Sequence, residues 1–175
     1  MTRKSYLKIL LTAALLAYCF YYISSLNDWH FIDYVDLVIH EAGHVVFMFF
    51  GQFIYILGGS LLQVLMPLIF VGYFVFQRQQ YSASLVLYWV GINLFNVAVY
   101  AGDALTLKLP LLTGDKDSHD WNQLLFMLGW LRHTALVSHT IFVAGILAIL
   151  LAFVWGVYTV LAQTEQAEQE SIPTL

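Results

Sequence analysis

Residues 33–51 read DYVDLVIHEAGHVVFMFFG, and within them His40-Glu41-Ala42-Gly43-His44 forms an H-E-x-x-H motif inside an apolar run. On an α-helix, residues four apart lie one turn apart on the same face. His40 and His44 can therefore reach one metal ion. Glu41 stands beside them, where a carboxylate can take a proton from a metal-activated water. Three ionisable groups within five residues of a lipid-compatible helix are costly unless a function uses them. At about 100° per residue, Asp33, Asp36, His40 and His44 share a sector about 80° wide, with Glu41 at its edge. The opposite face is Val, Phe, Met and Ile. In lipid, such a polar stripe must turn towards protein or a wet cavity. Asp36 is placed either to orient His40 from one turn away or to favour the helix start.

The rest of the chain supplies the membrane context. Of its 175 residues, 61% are hydrophobic and 10% charged, where soluble domains carry roughly 25% charged residues. The apolar residues fall in long runs, which predicts an all-α, polytopic membrane helix bundle. Spans are expected over 6–26, 58–76, 82–105 and 136–161, in addition to the membrane-embedded motif helix. Pro67 is expected to kink the second span, Gly58-Gly59-Ser60 to open it, and 77–80 to form a polar turn. The first span begins with basic residues but lacks a small-residue cleavage site at Cys19-Phe20-Tyr21-Tyr22, so it reads as a retained anchor. Residues 1–162 are read as one membrane domain and 163–175 as a polar, flexible tail. The protein is thus expected to be multi-pass in a cell or inner membrane, with the bilayer as its surroundings. The net charge of −4 and the absence of a basic cluster argue against a nucleic-acid partner. Cys19 is the sole cysteine, which excludes an internal disulfide and a zinc-thiolate cluster.

Orientation depends on the motif helix. Arg3, Lys4 and Lys8 favour a cytoplasmic N-terminus. If the motif helix crosses fully, the 107–133 loop is cytoplasmic as well. If it is re-entrant, that loop lies outside and Arg78 inside.

A second polar stripe narrows the search for further ligands. Asn93, Asn96, Tyr100 and Asp103 also fall within about 80° on the 82–105 helix. Two striped helices can hide both stripes only by turning them towards each other or a shared cavity. Asp103 is accordingly the leading third ligand, since catalytic zinc commonly takes three protein ligands and leaves one position for water. His119 and Asp120 compete for that role from the loop that follows. His119 could instead orient substrate or stabilise a transition state, and Asp120 could fix a histidine tautomer. The pair also has the form of a loop turn followed by a helix N-cap. Asn93 and Asn96 are read equally as substrate contacts and as interhelical hydrogen-bond glue. His30, His133 and His139 are expected at the interface or in packing.

A transmembrane H-E-x-x-H followed by an aspartate-bearing helix resembles the site-2-protease family of intramembrane zinc metallopeptidases, of which this chain would be a divergent member. The resemblance implies Zn²⁺ held by His40, His44 and Asp103, with Glu41 as base and a membrane protein or peptide as substrate. The family's later motif, N-x-x-P-x-x-x-L-D-G, corresponds to the stretch from Asn96 to Ala104 here, without the proline and with glycine before the aspartate. Two other functions suit the same residues. One is a metal-dependent membrane hydrolase acting on a lipid-like or small amphiphilic substrate. The other is a non-catalytic metal-binding membrane adaptor.

Overall fold

The computed structural model describes residues 2–26, 28–112 and 114–170. Six α-helices carry the fold: α1 (Arg3–Ser24), α2 (Phe31–Phe47), α3 (Gln52–Phe76), α4 (Gln80–Gly102), α5 (Asp120–Met127) and α6 (Thr134–Glu170). No strand occurs among the described residues. Four helical segments are long and apolar enough to cross a membrane: α1, α3, α4 and Leu131–Ala167, which covers most of α6. At about 1.5 Å per residue, each exceeds the roughly 30 Å of a bilayer's hydrocarbon core. Their outward faces are apolar, with Leu10, Ile69, Leu147 and Val154 all exposed.

α4 is the central helix and packs against α6, α3 and α1. Its Leu87, Tyr88 and Phe95 join Cys19 and Tyr22 of α1 and Ile149 of α6 in the core. Cys19 therefore packs as a small apolar side chain.

Polar contacts fix which helix ends lie together. The Lys8 ammonium donates to Gln163 Oε1 at 2.9 Å, Ser5 and Thr164 hydroxyls meet at 3.0 Å, and Tyr81 Oη donates to the Lys8 carbonyl at 2.7 Å. The start of α1, the start of α4 and the end of α6 thus share one end of the bundle. The end of α3 joins them through the short turn at residues 77–79. The end of α1, the start of α3 and the end of α4 lie at the other end. α2 connects two elements of that second end, so it enters the bundle and returns on the same side. Its 17 residues span about 25 Å, less than a bilayer core. The motif helix therefore begins and ends at one end of the bundle and does not join the two ends.

Two sequence expectations need correction. The second span does not open at Gly58-Gly59-Ser60. α3 begins at Gln52 and continues through Pro67 to Phe76, and the two glycines are where α2 packs on it. A Cβ on Gly43 would overlap the Gly58 backbone, and one on Gly58 would strike the Gly43 carbonyl and Phe47. The polar tail up to Glu170 is not a loose extension. It continues α6, held to α1 by the Gln163 and Thr164 bonds just described. Residues 171–175 lie outside the described residues.

Candidate metal centre

α2 begins with a firm N-terminal anchor. Asp33 accepts the His30 backbone N–H at 2.7 Å and the Tyr22 hydroxyl at 2.6 Å. The His30 ring bonds to Ser25 and lies 3.3 Å from Asp33, so it packs, as expected, between α1 and α2. The helix then presents His40 and His44 to the small-residue face of α3.

The two imidazoles and one carboxylate converge. His40 Nε2 is 2.9 Å and His44 Nε2 is 3.2 Å from Asp120 Oδ2. One ligand atom from each of the three residues lies within 4.8 Å of the others. Asp120 is the first residue of α5, which is pinned in place by Trp121 Nε1 donating to Ser60 Oγ at 3.0 Å and by Asn122 Nδ2 donating to the Ala104 carbonyl at 2.7 Å.

The surroundings decide which nitrogen each imidazole turns inward. Asp33 is acceptor-only when ionised, so Asn96 faces it with its amide nitrogen, at 3.3 Å. That presents Asn96 Oδ1 to Gln63 Nε2, which donates to it at 2.9 Å. Gln63 must then offer Oε1 to His40 Nδ1, 3.1 Å away. Asp33, Asn96 and Gln63 thereby place the proton of His40 on Nδ1. His44 Nδ1 faces the Tyr55 carbonyl at 2.9 Å, another pure acceptor, and so also carries its proton there. Both Nε2 lone pairs then point at a carboxylate oxygen. Three acceptors facing one another repel unless a cation lies among them, and outward Nδ1–H groups held by oxygen acceptors are the usual support of metal-bound histidines. The residues present therefore fit a metal ion. Gly59 provides the floor, because a Cβ there would overlap the Nε2 tips of both imidazoles.

Burial alone would raise the pKa of Asp120; where no ion is bound, an Nε2 proton on His40 or His44 would bond the carboxylate, outweigh burial and hold it below the usual carboxylate range. Burial pushes His119 down, towards the neutral imidazole.

The structure does not bring Asp103 to the histidines. It caps the C-terminus of α4, where the chain must reverse. There its carboxylate accepts the Thr106 hydroxyl and the backbone N–H groups of Lys108 and Leu109, at 3.0 and 2.9 Å. Burial opposes its ionisation, but these donors hold it below the ordinary carboxylate range. The carboxylate grouped with His40 and His44 is that of Asp120. His119 is fully buried and caps α5, its Nδ1 accepting the Asn122 N–H at 3.2 Å, while its Nε2 lies 3.5 Å from Asp103. Asp36 does not orient His40. It accepts the Trp89 indole N–H at 2.8 Å, and Gln63 takes the expected role. Asn93 is fully buried and donates to the Trp89 carbonyl at 3.1 Å, one turn earlier in its own helix. Asn96 belongs to the chain of amides behind His40.

A cavity of about 730 Å³ opens onto the cluster. Glu41 lines it with His40, His44 and Asp120, and is exposed within it, making no hydrogen bond to another described residue. Leu109, Pro110, Leu111 and Leu112 form an apolar wall, and no lysine or arginine lines the cavity.

Sequence reading missed Gln63, the Tyr55 carbonyl and the packing use of Gly58 and Gly59. Gln63 did carry a signal, as a buried amide in an otherwise apolar span. Replacing Gln63 with Leu is expected to leave the ligand set in place and weaken zinc affinity about 10–100-fold, measured by competition with a chelating dye. Unchanged affinity would mean that Gln63 does not support His40.

No protein-family model matches the chain, and the comparisons with curated proteins and with solved structures likewise return no match.

Proposed function

We propose that this protein is a membrane-embedded zinc metallopeptidase that hydrolyses peptide bonds in or near the bilayer. The observation that carries this reading is the convergence of two Nε2 lone pairs and the Asp120 carboxylate, with the unpaired Glu41 beside them in an open cavity. Two imidazoles and one carboxylate suit zinc with a position left open. A bound ion would polarise the scissile carbonyl and acidify a water. His40, His44 and Asp120 would hold it, and Gln63 and the Tyr55 carbonyl would keep both imidazoles aimed. Glu41 would accept the proton of the attacking water and deliver it to the leaving nitrogen. The apolar wall from Leu109 to Leu112 would hold an extended, hydrophobic segment of substrate. A helical substrate must unwind first, since its peptide groups are otherwise held in internal hydrogen bonds.

Two observations favour a peptide over the other readings. A phospholipid headgroup would meet Glu41, Asp28 and Asp120 in a cavity lined by no lysine or arginine. A purely structural metal site would be closed, whereas this cluster faces open space. With α2 re-entrant, Arg3, Lys4, Lys8 and Arg78 all lie at the bundle end away from the site. With four basic residues at that end against Lys108, Lys116 and Arg132 at the other, the positive-inside tendency favours the cytoplasm for the start of α1 and the opposite face for the metal centre.

The test uses purified protein in mixed micelles with a library of synthetic apolar peptides, read by mass spectrometry. Zinc-loaded protein is expected to cleave a subset, chelation to stop cleavage, and added zinc to restore it. A zinc-loaded protein that leaves every peptide intact would contradict the reading.

A further inference from the structure

We propose that Tyr100 is a further catalytic residue, whose phenol hydroxyl donates a hydrogen bond to the carbonyl oxygen of the scissile peptide as negative charge builds there. The inference rests on the metallopeptidase reading above. Tyr100 comes from the last turn of α4, whereas Glu41 comes from α2, and both line the same cavity. Base and donor therefore approach a bound substrate from two different walls.

The phenol is held with little freedom. Its ring packs on that of His119 with centroids 4.4 Å apart and lies 5.8 Å from the ring of His40. His119 is itself fully buried and fixed as the cap of α5. The Tyr100 oxygen accepts the backbone N–H of Asp120 at 3.0 Å. A phenol both accepts and donates, and accepting from an amide strengthens its own O–H as a donor. The neighbouring Asp120 carboxylate turns its Oδ2 to the two histidines. With the cavity empty, the phenol proton turns to the Asp120 carboxylate, and an oxygen bound in the cavity would take it in that carboxylate's place. The hydrogen bond that fixes Tyr100 comes from the backbone of a ligand residue, so the donor is registered to the metal centre itself. A preorganised donor of this kind stabilises charge that develops only in the transition state.

The step balances without a further reactant. A water oxygen forms a bond to the carbonyl carbon while Glu41 takes its proton. The carbon–nitrogen bond then breaks as that proton passes to the nitrogen. Tyr100 keeps its own proton throughout and contributes a hydrogen bond alone.

Tyr100→Phe removes the oxygen and keeps the ring that stacks on His119. The experiment compares wild type and variant in three readouts: zinc affinity, steady-state cleavage of an apolar peptide, and affinity for a peptide phosphinate that mimics the tetrahedral carbon. Unchanged zinc affinity, a kcat lowered about 10²-fold with KM little altered, and phosphinate binding weakened to a similar degree are expected. Unchanged kcat and unchanged phosphinate affinity would overturn the proposal. Zinc loss in Tyr100→Phe would overturn it as well, by making Tyr100 a support for Asp120. If the zinc-loaded wild type neither cleaves peptide nor binds the phosphinate, the metallopeptidase reading fails and this inference with it, a result separable from failure of the variant comparison alone.

Discussion

Glu41→Gln is expected to lower peptide hydrolysis about 10³-fold while the protein keeps its metal. The substitution preserves size and shape but removes the group that accepts a proton from water. Glu41 makes no hydrogen bond to another described residue and is exposed in the cavity, so the fold loses nothing with it. Neither does the cluster that could hold a metal, His40, His44 and Asp120. kcat and metal content should be measured on the same preparations. A Glu41→Gln protein that cleaves at the wild-type rate would remove the base from the mechanism. One that loses its metal would mean that Glu41 is a ligand instead.

The second large effect is expected at a residue with no chemistry of its own. Gly59→Ala puts a methyl group where the Nε2 tips of His40 and His44 meet. The imidazoles cannot yield easily, because Gln63 and the Tyr55 carbonyl hold their Nδ1 atoms from behind. Moving α2 away would break the close backbone packing at Gly43 and Gly58. Zinc affinity is therefore expected to fall by more than about 100-fold, with helix content by circular dichroism unchanged. Gly72→Ala, on the same helix with nothing within 4 Å of its added Cβ, should leave affinity as it was. Equal behaviour of the two variants would mean that Gly59 does not shape the site.

The sequence carried the helical class and the positions of the long apolar helices because lipid-compatible runs leave little choice of structure. It carried His40, Glu41 and His44 because four-residue spacing on a helix is a local property. It also placed the two polar stripes towards each other, and the structure joins them through Asn96, Asp33 and Gln63. The third ligand was not legible in the same way. Asp103 lies on the expected face of α4, but whether a helix-end carboxylate meets a neighbour or its own following backbone depends on the path of the next five residues. Leu107 takes a positive φ of 50°, and the chain folds back so that the Lys108 and Leu109 N–H groups reach Asp103. Asp120 enters the site because His119 caps α5 and so fixes where that helix starts. Likewise, Gly58-Gly59 reads as an opening when apolarity alone is considered, and as a packing face once α2 is known to lie against it. That α2 starts and ends at one end of the bundle follows from contacts between residues as distant as Lys8 and Gln163, which no local pattern encodes.

The most direct measurement is the zinc content and zinc affinity of detergent-purified wild type, Asp120→Ala and Asp103→Ala. About one zinc per chain in the wild type, lost in Asp120→Ala and kept in Asp103→Ala, is the expected result for a centre built from His40, His44 and Asp120. Zinc kept in Asp120→Ala and lost in Asp103→Ala would contradict it.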